Sequence, residues 1–148
     1  AKARATLKNY IQERIPAHFK PDGTQPFEMM RANNFDYHRC NLEIALDIAA
    51  LADHYSDVDA WGFKTKNGAG LRRSLEFLVP YFTEEKEWPY FKKHKFRISG
   101  HHRARLLRRA AIGYRDISFE NAVKKINPSY GMYLIDLCYP KAAITRKQ

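Results

Sequence analysis

Arg31 and Tyr37 stand six positions apart in PFEMMRANNFDYHRCNL, where a polar loop gives way to a long apolar-patterned segment. A phenol held near a guanidinium is a way to run proton transfer near neutral pH without a metal or a histidine. Tyrosine has a reference pKa of about 10, so roughly one phenol in a thousand is ionised at pH 7. A cation within reach lowers the pKa of an acidic group by roughly 1–3 units. The arginine fork also gives two parallel bonds to a carboxylate. The pair is therefore a candidate acid/base site. The spacing alone admits a plainer reading, with Tyr37 a helix-start aromatic and Arg31 a surface charge.

Gln25, Asn33, Asn34 and His38 flank the pair. They offer hydrogen bonds to a ligand, although amides in loops commonly satisfy local backbone instead. His38 brings a near-neutral pKa, but on a helix it is turned by about 100° from Tyr37. That counts against the two acting on one atom. Glu28 reads as an ion-pair partner for Arg31, not as a base.

The elements that must position these residues read as helices. Ala3–Ala17 carries Leu7, Tyr10, Ile11 and Ile15 at helical spacing, with Pro16 and Pro21 expected to end it. Asp22-Gly23 signals a turn. Phe35–Tyr55 is the strongest helix: Leu42, Ala45, Leu46, Ile48, Ala49 and Ala52 form an apolar surface wide enough to be packed on more than one side. After the Asn67-Gly68-Ala69-Gly70 turn, Leu71–Val79 forms a third helix that Pro80 should stop. His101–Gly113 is a fourth, with Leu106, Leu107, Ala110 and Ala111 inside and Arg103, Arg105, Arg108 and Arg109 on or near the other face. Ser118 is placed to cap a short helix, Phe119–Ile126, before Pro128. Tyr133–Tyr139, YLIDLCY, is the one β-like run. The pattern predicts an all-α fold of antiparallel helical hairpins in one domain over residues 1–148.

The 148 residues can bury a moderate core. A formal net charge of +10 favours a polyanionic partner. No segment is long and apolar enough for a membrane span, and there is no signal-peptide-like start. Cys40 and Cys138 are too few for a disulfide scaffold or a zinc site; they could pair in an oxidising compartment, but their apolar surroundings favour two separate buried thiols. His101 and His102 are adjacent and share no helix face. No glycine-rich phosphate loop, Ser-His-Asp order or Cys-x-x-Cys is present, so no metal or cofactor is expected. The helical pattern is already running at Ala1, which predicts a chain cut from something longer.

A specific resemblance is carried by Asp22-Gly23, Gln25-Pro26, Glu28, Arg31, Tyr37 and Asn41-Leu42 opening an alanine-rich helix. It continues through Trp61, the Asn67-Gly68 turn and Pro80-Tyr81-Phe82, so that residues 1–95 resemble the alginate lyase family. That resemblance implies part of an (α/α) toroid that cleaves an anionic polyuronate by β-elimination. It implies that Arg31 and Tyr37 match the family's catalytic arginine and tyrosine. It also implies an Asn-His pair in an earlier half that this chain does not contain, so the site would be completed by a missing N-terminal part or another copy.

On that reading Gln25, Asn33, Asn34 and His38 would bond sugar hydroxyls. Trp61, Trp88, Tyr90 and Phe91 would stack on sugar rings or, alternatively, pack between helices. A periplasmic or secreted setting follows from the family. Two other functions compete: a non-catalytic module that binds anionic polysaccharide, and a basic nucleic-acid-binding helical domain. The run from His101 to Arg109 would suit phosphates as well as uronates. No helix-turn-helix, zinc-finger or RNA-binding signature supports the nucleic-acid reading.

Overall fold

The structure is a computed structural model that describes residues 2–55, 57–90, 98–126 and 132–145, apart from the side chains of Met132 and Tyr133. Phe91 and Pro128, both singled out from the sequence, lie outside the described residues. All regular structure among the described residues is helical. These residues form two compact units. One holds the chain up to Leu78 with Trp88–Tyr90, the other Val79–Glu87 and the described residues from Ile98 onward.

The first unit opens with α1 (Lys2–Asn9), a π-helical turn (Tyr10–Arg14) and α2 (Ile15–His18), which follow one another without a break. Pro16 does not end this run. It occupies the first turn of α2, where its missing N–H would have no intrahelical partner anyway. The chain leaves the helix at Phe19, whose backbone is extended. After the short α3 (Pro26–Met29) comes α4 (Asn34–Tyr55), the longest element.

One stripe of α4, His38, Leu42, Ala45, Ala49 and Ala52, is buried at spacings of four and three residues, the repeat that keeps one helical face inward. Arg4 Nε donates to the Tyr55 carbonyl at 2.9 Å, and Gln25 bonds to the His38 carbonyl at 3.0 Å. The run from α1 to α2 therefore lies antiparallel to α4. The expectation that α4 packs on more than one side is not met, because Ile44, Leu51 and Tyr55 are exposed. Small alanines on the inner face let neighbouring chain approach closely there, so burial is concentrated on one side.

Helix α5 (Leu71–Phe82) begins in the first unit with Leu71, Leu75 and Leu78 fully buried. It continues past Pro80, contrary to the expected stop. A proline in a helix interior costs about 3 kcal/mol or more. Complete burial of Phe82 in the second unit works against that cost.

The second unit contains α6 (Gly100–Tyr114), α7 (Ile117–Lys125), α8 (Met132–Cys138) and α9 (Ala142–Thr145). Ser99 caps α6, its hydroxyl accepting from the His102 N–H. Asp116, not Ser118, caps α7, with its carboxylate accepting from the Ser118 N–H at 2.9 Å. The YLIDLCY run is helical, not β-like. Its β-branched and aromatic residues favour strands only where a sheet receives them. Here Ile135 enters the core while Asp136 reaches Arg108 at 2.7 Å.

Arg108 corrects the expectation of an outward basic face on α6. It is 0 % exposed and forks onto both carboxylate oxygens of the buried Glu120, while also donating to the Tyr139 carbonyl at 3.0 Å. A buried charge persists only when paired and hydrogen-bonded in this way. Arg109 is buried beside the Tyr139 ring, and Arg103 donates to the Phe82 carbonyl and to Glu84. The densest basic run is thus largely taken up by the fold.

Candidate active site

The turn at residues 20–24 sets up the site. Lys20 N–H donates to the Thr24 carbonyl and Gly23 N–H to the Lys20 carbonyl, both at 3.0 Å. Gly23 has φ +89°, and a Cβ there would meet the Phe77 Cβ at 2.5 Å. Only glycine fits both the left-handed backbone and the close approach. This turn delivers Gln25 to the interior.

Gln25 Nε2 donates to the His38 carbonyl and to Ser74 Oγ (3.1 Å), while its Oε1 accepts from Asn41 Nδ2 at 2.6 Å. His38 Nε2 lies 3.3 Å from the Gly23 carbonyl and 3.3 Å from Ser74 Oγ. A carbonyl can only accept, so the Nε2 proton is on that side. Nδ1 is left buried with no partner. Burial lowers the His38 pKa to about 4, against the opposing pull of the Gly23 carbonyl and Asp22. The imidazole is therefore neutral at physiological pH.

Asn34 closes the other end of the loop. Its Nδ2 donates to the Met29 carbonyl at 3.3 Å and its Oδ1 accepts from Trp88 Nε1 at 2.7 Å. Trp88 stacks on Phe35 at 4.6 Å and presents edges to His38 and Phe77. The loop carrying Arg31 is thus tied to the first turns of α4 at both ends.

Between those anchors the Arg31 guanidinium lies 3.9 Å from the centre of the Tyr37 ring. Tyr37 is 40 % exposed and the Arg31 side chain 52 %, so the pair faces solvent. Glu28 sits 4.0 Å from Arg31 Nε, the ion pair expected from the sequence. Phe27 and Met30, on and beside α3, are 60 % and 85 % exposed. The Phe27 ring lies 5.6 Å from that of His18, and both large apolar side chains are open to solvent. Neither residue stood out in the sequence. The signal was present in their i, i+3 spacing, which puts them on one face of a helical turn.

The other expected contacts divide. Gln25, Asn34 and His38 are buried and engaged with protein groups, so in this arrangement they position the site instead of facing a ligand. Asn33 is half-buried, and its carbonyl accepts the Tyr37 N–H at 3.1 Å. Trp88 is half-buried and Tyr90 exposed, with ring centres 5.2 Å apart, on the side of Phe35 and His38. Trp61 is not brought to the pair. Its indole N–H donates to Asp53 at 2.7 Å, and Asp53 follows Tyr37 by 16 residues of α4, roughly 24 Å along the axis. Trp61 is a buried packing residue at the far end of that helix.

Neither thiol is fully buried, contrary to expectation. Cys40 is half-buried against Arg39, Cys138 is exposed, and both are free. Among the described residues no cluster of side chains could hold a metal ion, and no helix is long and apolar enough to cross a membrane.

The alginate lyase family profile, described as "Alginate lyase", matches residues 1–88. A crystal structure of an alginate lyase from Bacteroides ovatus superposes with a TM-score of 0.80 at 25% identity, covering 93% of this chain and 36% of that one. The chain thus spans about a third of that enzyme's length. No curated protein matches. The expected all-α fold is met among the described residues, and this match agrees with it. With the loop, Arg31, Tyr37 and all of α4 inside a match over more than half of its length, the chain belongs to the alginate lyase family.

Proposed function

We propose that this chain is the C-terminal part of the catalytic domain of a polysaccharide lyase that cleaves an acidic polyuronate, alginate being the first candidate, by β-elimination. The observation that carries the proposal is the exposed Arg31–Tyr37 stack, held by a buried polar network inside the family-matched residues. The reaction requires three things. The carboxylate beside C5 must be neutralised, the C5 proton removed, and the departing glycosidic oxygen protonated. Arg31 supplies a forked donor for the carboxylate, where charge builds up as the C5 proton leaves. The Tyr37 oxygen takes that proton. The electron pair left on C5 becomes the C4–C5 double bond as the C4–O bond breaks, and the proton returns to the leaving oxygen. An Asn-His pair from the preceding half of the protein completes the carboxylate cradle, and the setting is periplasmic or secreted.

The test is ultraviolet absorbance of the unsaturated product when the full-length protein meets alginate, with pectate and hyaluronan as alternative uronates. Steady growth of that absorbance on one of them is the expected result. Its absence on every polyuronate, with binding retained, favours the reading as a non-catalytic polysaccharide-binding module. The chain's share of about a third of the related enzyme favours that second reading for the isolated fragment, which should bind weakly and turn over little.

A further inference from the structure

A depression lies in the first unit where the Lys20–Thr24 turn meets the Thr65–Ala69 turn. Its volume is about 340 Å³, and none of its lining residues belongs to the Arg31–Tyr37 segment. Ligand pockets run from about 300 to 1,000 Å³, so this one suits a single ring and not a chain of them. The charged groups that line it are both lysines, Lys20 and Lys66. The nearest carboxylate in sequence, Asp22, does not line it and is held instead by the Thr24 N–H and hydroxyl at 2.8 and 2.7 Å. Pro16, Phe19 and Pro21 supply apolar wall.

Both turns are fixed before any ligand arrives. The first is closed by the Lys20–Thr24 and Gly23–Lys20 bonds. In the second, Thr65 N–H donates to the Ala69 carbonyl and Ala69 N–H to Thr65 Oγ1, both at 2.9 Å, with Gly68 at φ +87° making the reversal. A backbone already in place lowers the ordering cost of binding.

We infer that this depression is a binding subsite for a single anionic sugar residue, separate from the Arg31–Tyr37 pair. The sugar's carboxylate pairs with Lys20 and Lys66, and its C–H face lies on the prolines. The choice of a uronate as the ligand rests on the function proposed above; the cationic, ring-sized cavity does not.

The test is a titration of the ¹⁵N-labelled chain with glucuronate, with glucose as the neutral ring and acetate as the anion without a ring. Saturable shifts at the amides of residues 19–24 and 65–69 are expected with glucuronate, and far weaker ones with glucose or acetate. K20Q/K66Q should weaken binding at least tenfold, K20R/K66R should restore it, and Tyr37→Phe should leave it unchanged. A response confined to residues 31–41, an equal response to acetate, or shifts that survive in K20Q/K66Q would each overturn the subsite. A full-length protein without lyase activity whose turns still bind glucuronate would sink the proposed function and leave this site standing.

Discussion

The Arg31 guanidinium lies over the Tyr37 ring at 3.9 Å, with the phenol at the start of α4 and the arginine on the loop that packs onto it. A planar cation on an exposed aromatic face contributes about 0.5–1 kcal/mol, too little to order a loop. The ordering comes from Gln25, Asn34 and His38 beneath. Arg31→Lys keeps the charge and loses both the planar stack and the fork. If the proposed reaction holds, in the full-length protein it should lower kcat by about 10²-fold or more, as removal of a transition-state donor does. The melting temperature should barely change. Steady-state kinetics beside a thermal melt check both halves, and a kcat within a few fold of the parent would remove Arg31 from the chemistry.

His38 should make the fold acid-sensitive. Its folded pKa of about 4 lies below the ordinary 6.5, so the folded state favours the neutral ring. Between those values the unfolded chain binds the proton and the folded chain does not. Stability is therefore full above pH 6.5 and falls as the pH drops toward 4. The loss attributable to His38 approaches about 3 kcal/mol, from roughly 2.5 units at 1.36 kcal/mol each. Urea unfolding of the chain at pH 7 and pH 4.5, beside His38→Gln, isolates the term. The variant should be weaker at pH 7 and lose less on acidification. Equal losses in parent and variant would contradict the assignment.

Arg108 and Glu120 form a buried ion pair, and breaking one side should cost far more than removing both. Arg108→Met strands the Glu120 carboxylate and should destabilise the fold by about 3–5 kcal/mol. The double variant R108M/E120L should recover most of that loss. A single variant as stable as the parent would show that the pair does not hold α6 to α7.

The legibility of the chain follows a physical divide. Helix α4 could be read because Leu42, Ala45, Ala49 and Ala52 repeat at the helical period, and the meeting of Arg31 with Tyr37 could be read because one contiguous stretch brings them together. Arg108 could not be read, since nothing local says that Glu120, twelve positions on, will fold back on it. Pro16 and Pro80 misled because a proline's cost can be met by position in a first turn or by burial of a later residue such as Phe82. YLIDLCY misled because strand propensity depends on a sheet that the described residues do not form. Gln25 and His38 looked like ligand contacts because polarity in sequence does not say which way a side chain faces. Folding turns them inward.

Helix α4 offers a contrast one residue wide. Ala49 is fully buried and Ala50 exposed. Ala49→Asp should cost several kcal/mol, since a charge without a partner is buried. Ala50→Asp should stay within about 0.5 kcal/mol. Paired melts decide it, and equal melting temperatures would mean that the inner face of α4 is misassigned.

The proposed reaction turns on the Tyr37 hydroxyl. Tyr37→Phe in the full-length protein keeps the ring and the Arg31 stack and removes only the transferable proton. Catalysis draws on interactions made in the transition state, so this change should abolish product absorbance on the preferred polyuronate while the affinity for that polymer stays near parental. Near-parental turnover in Tyr37→Phe would contradict the tyrosine mechanism and leave the chain as a polysaccharide-binding module.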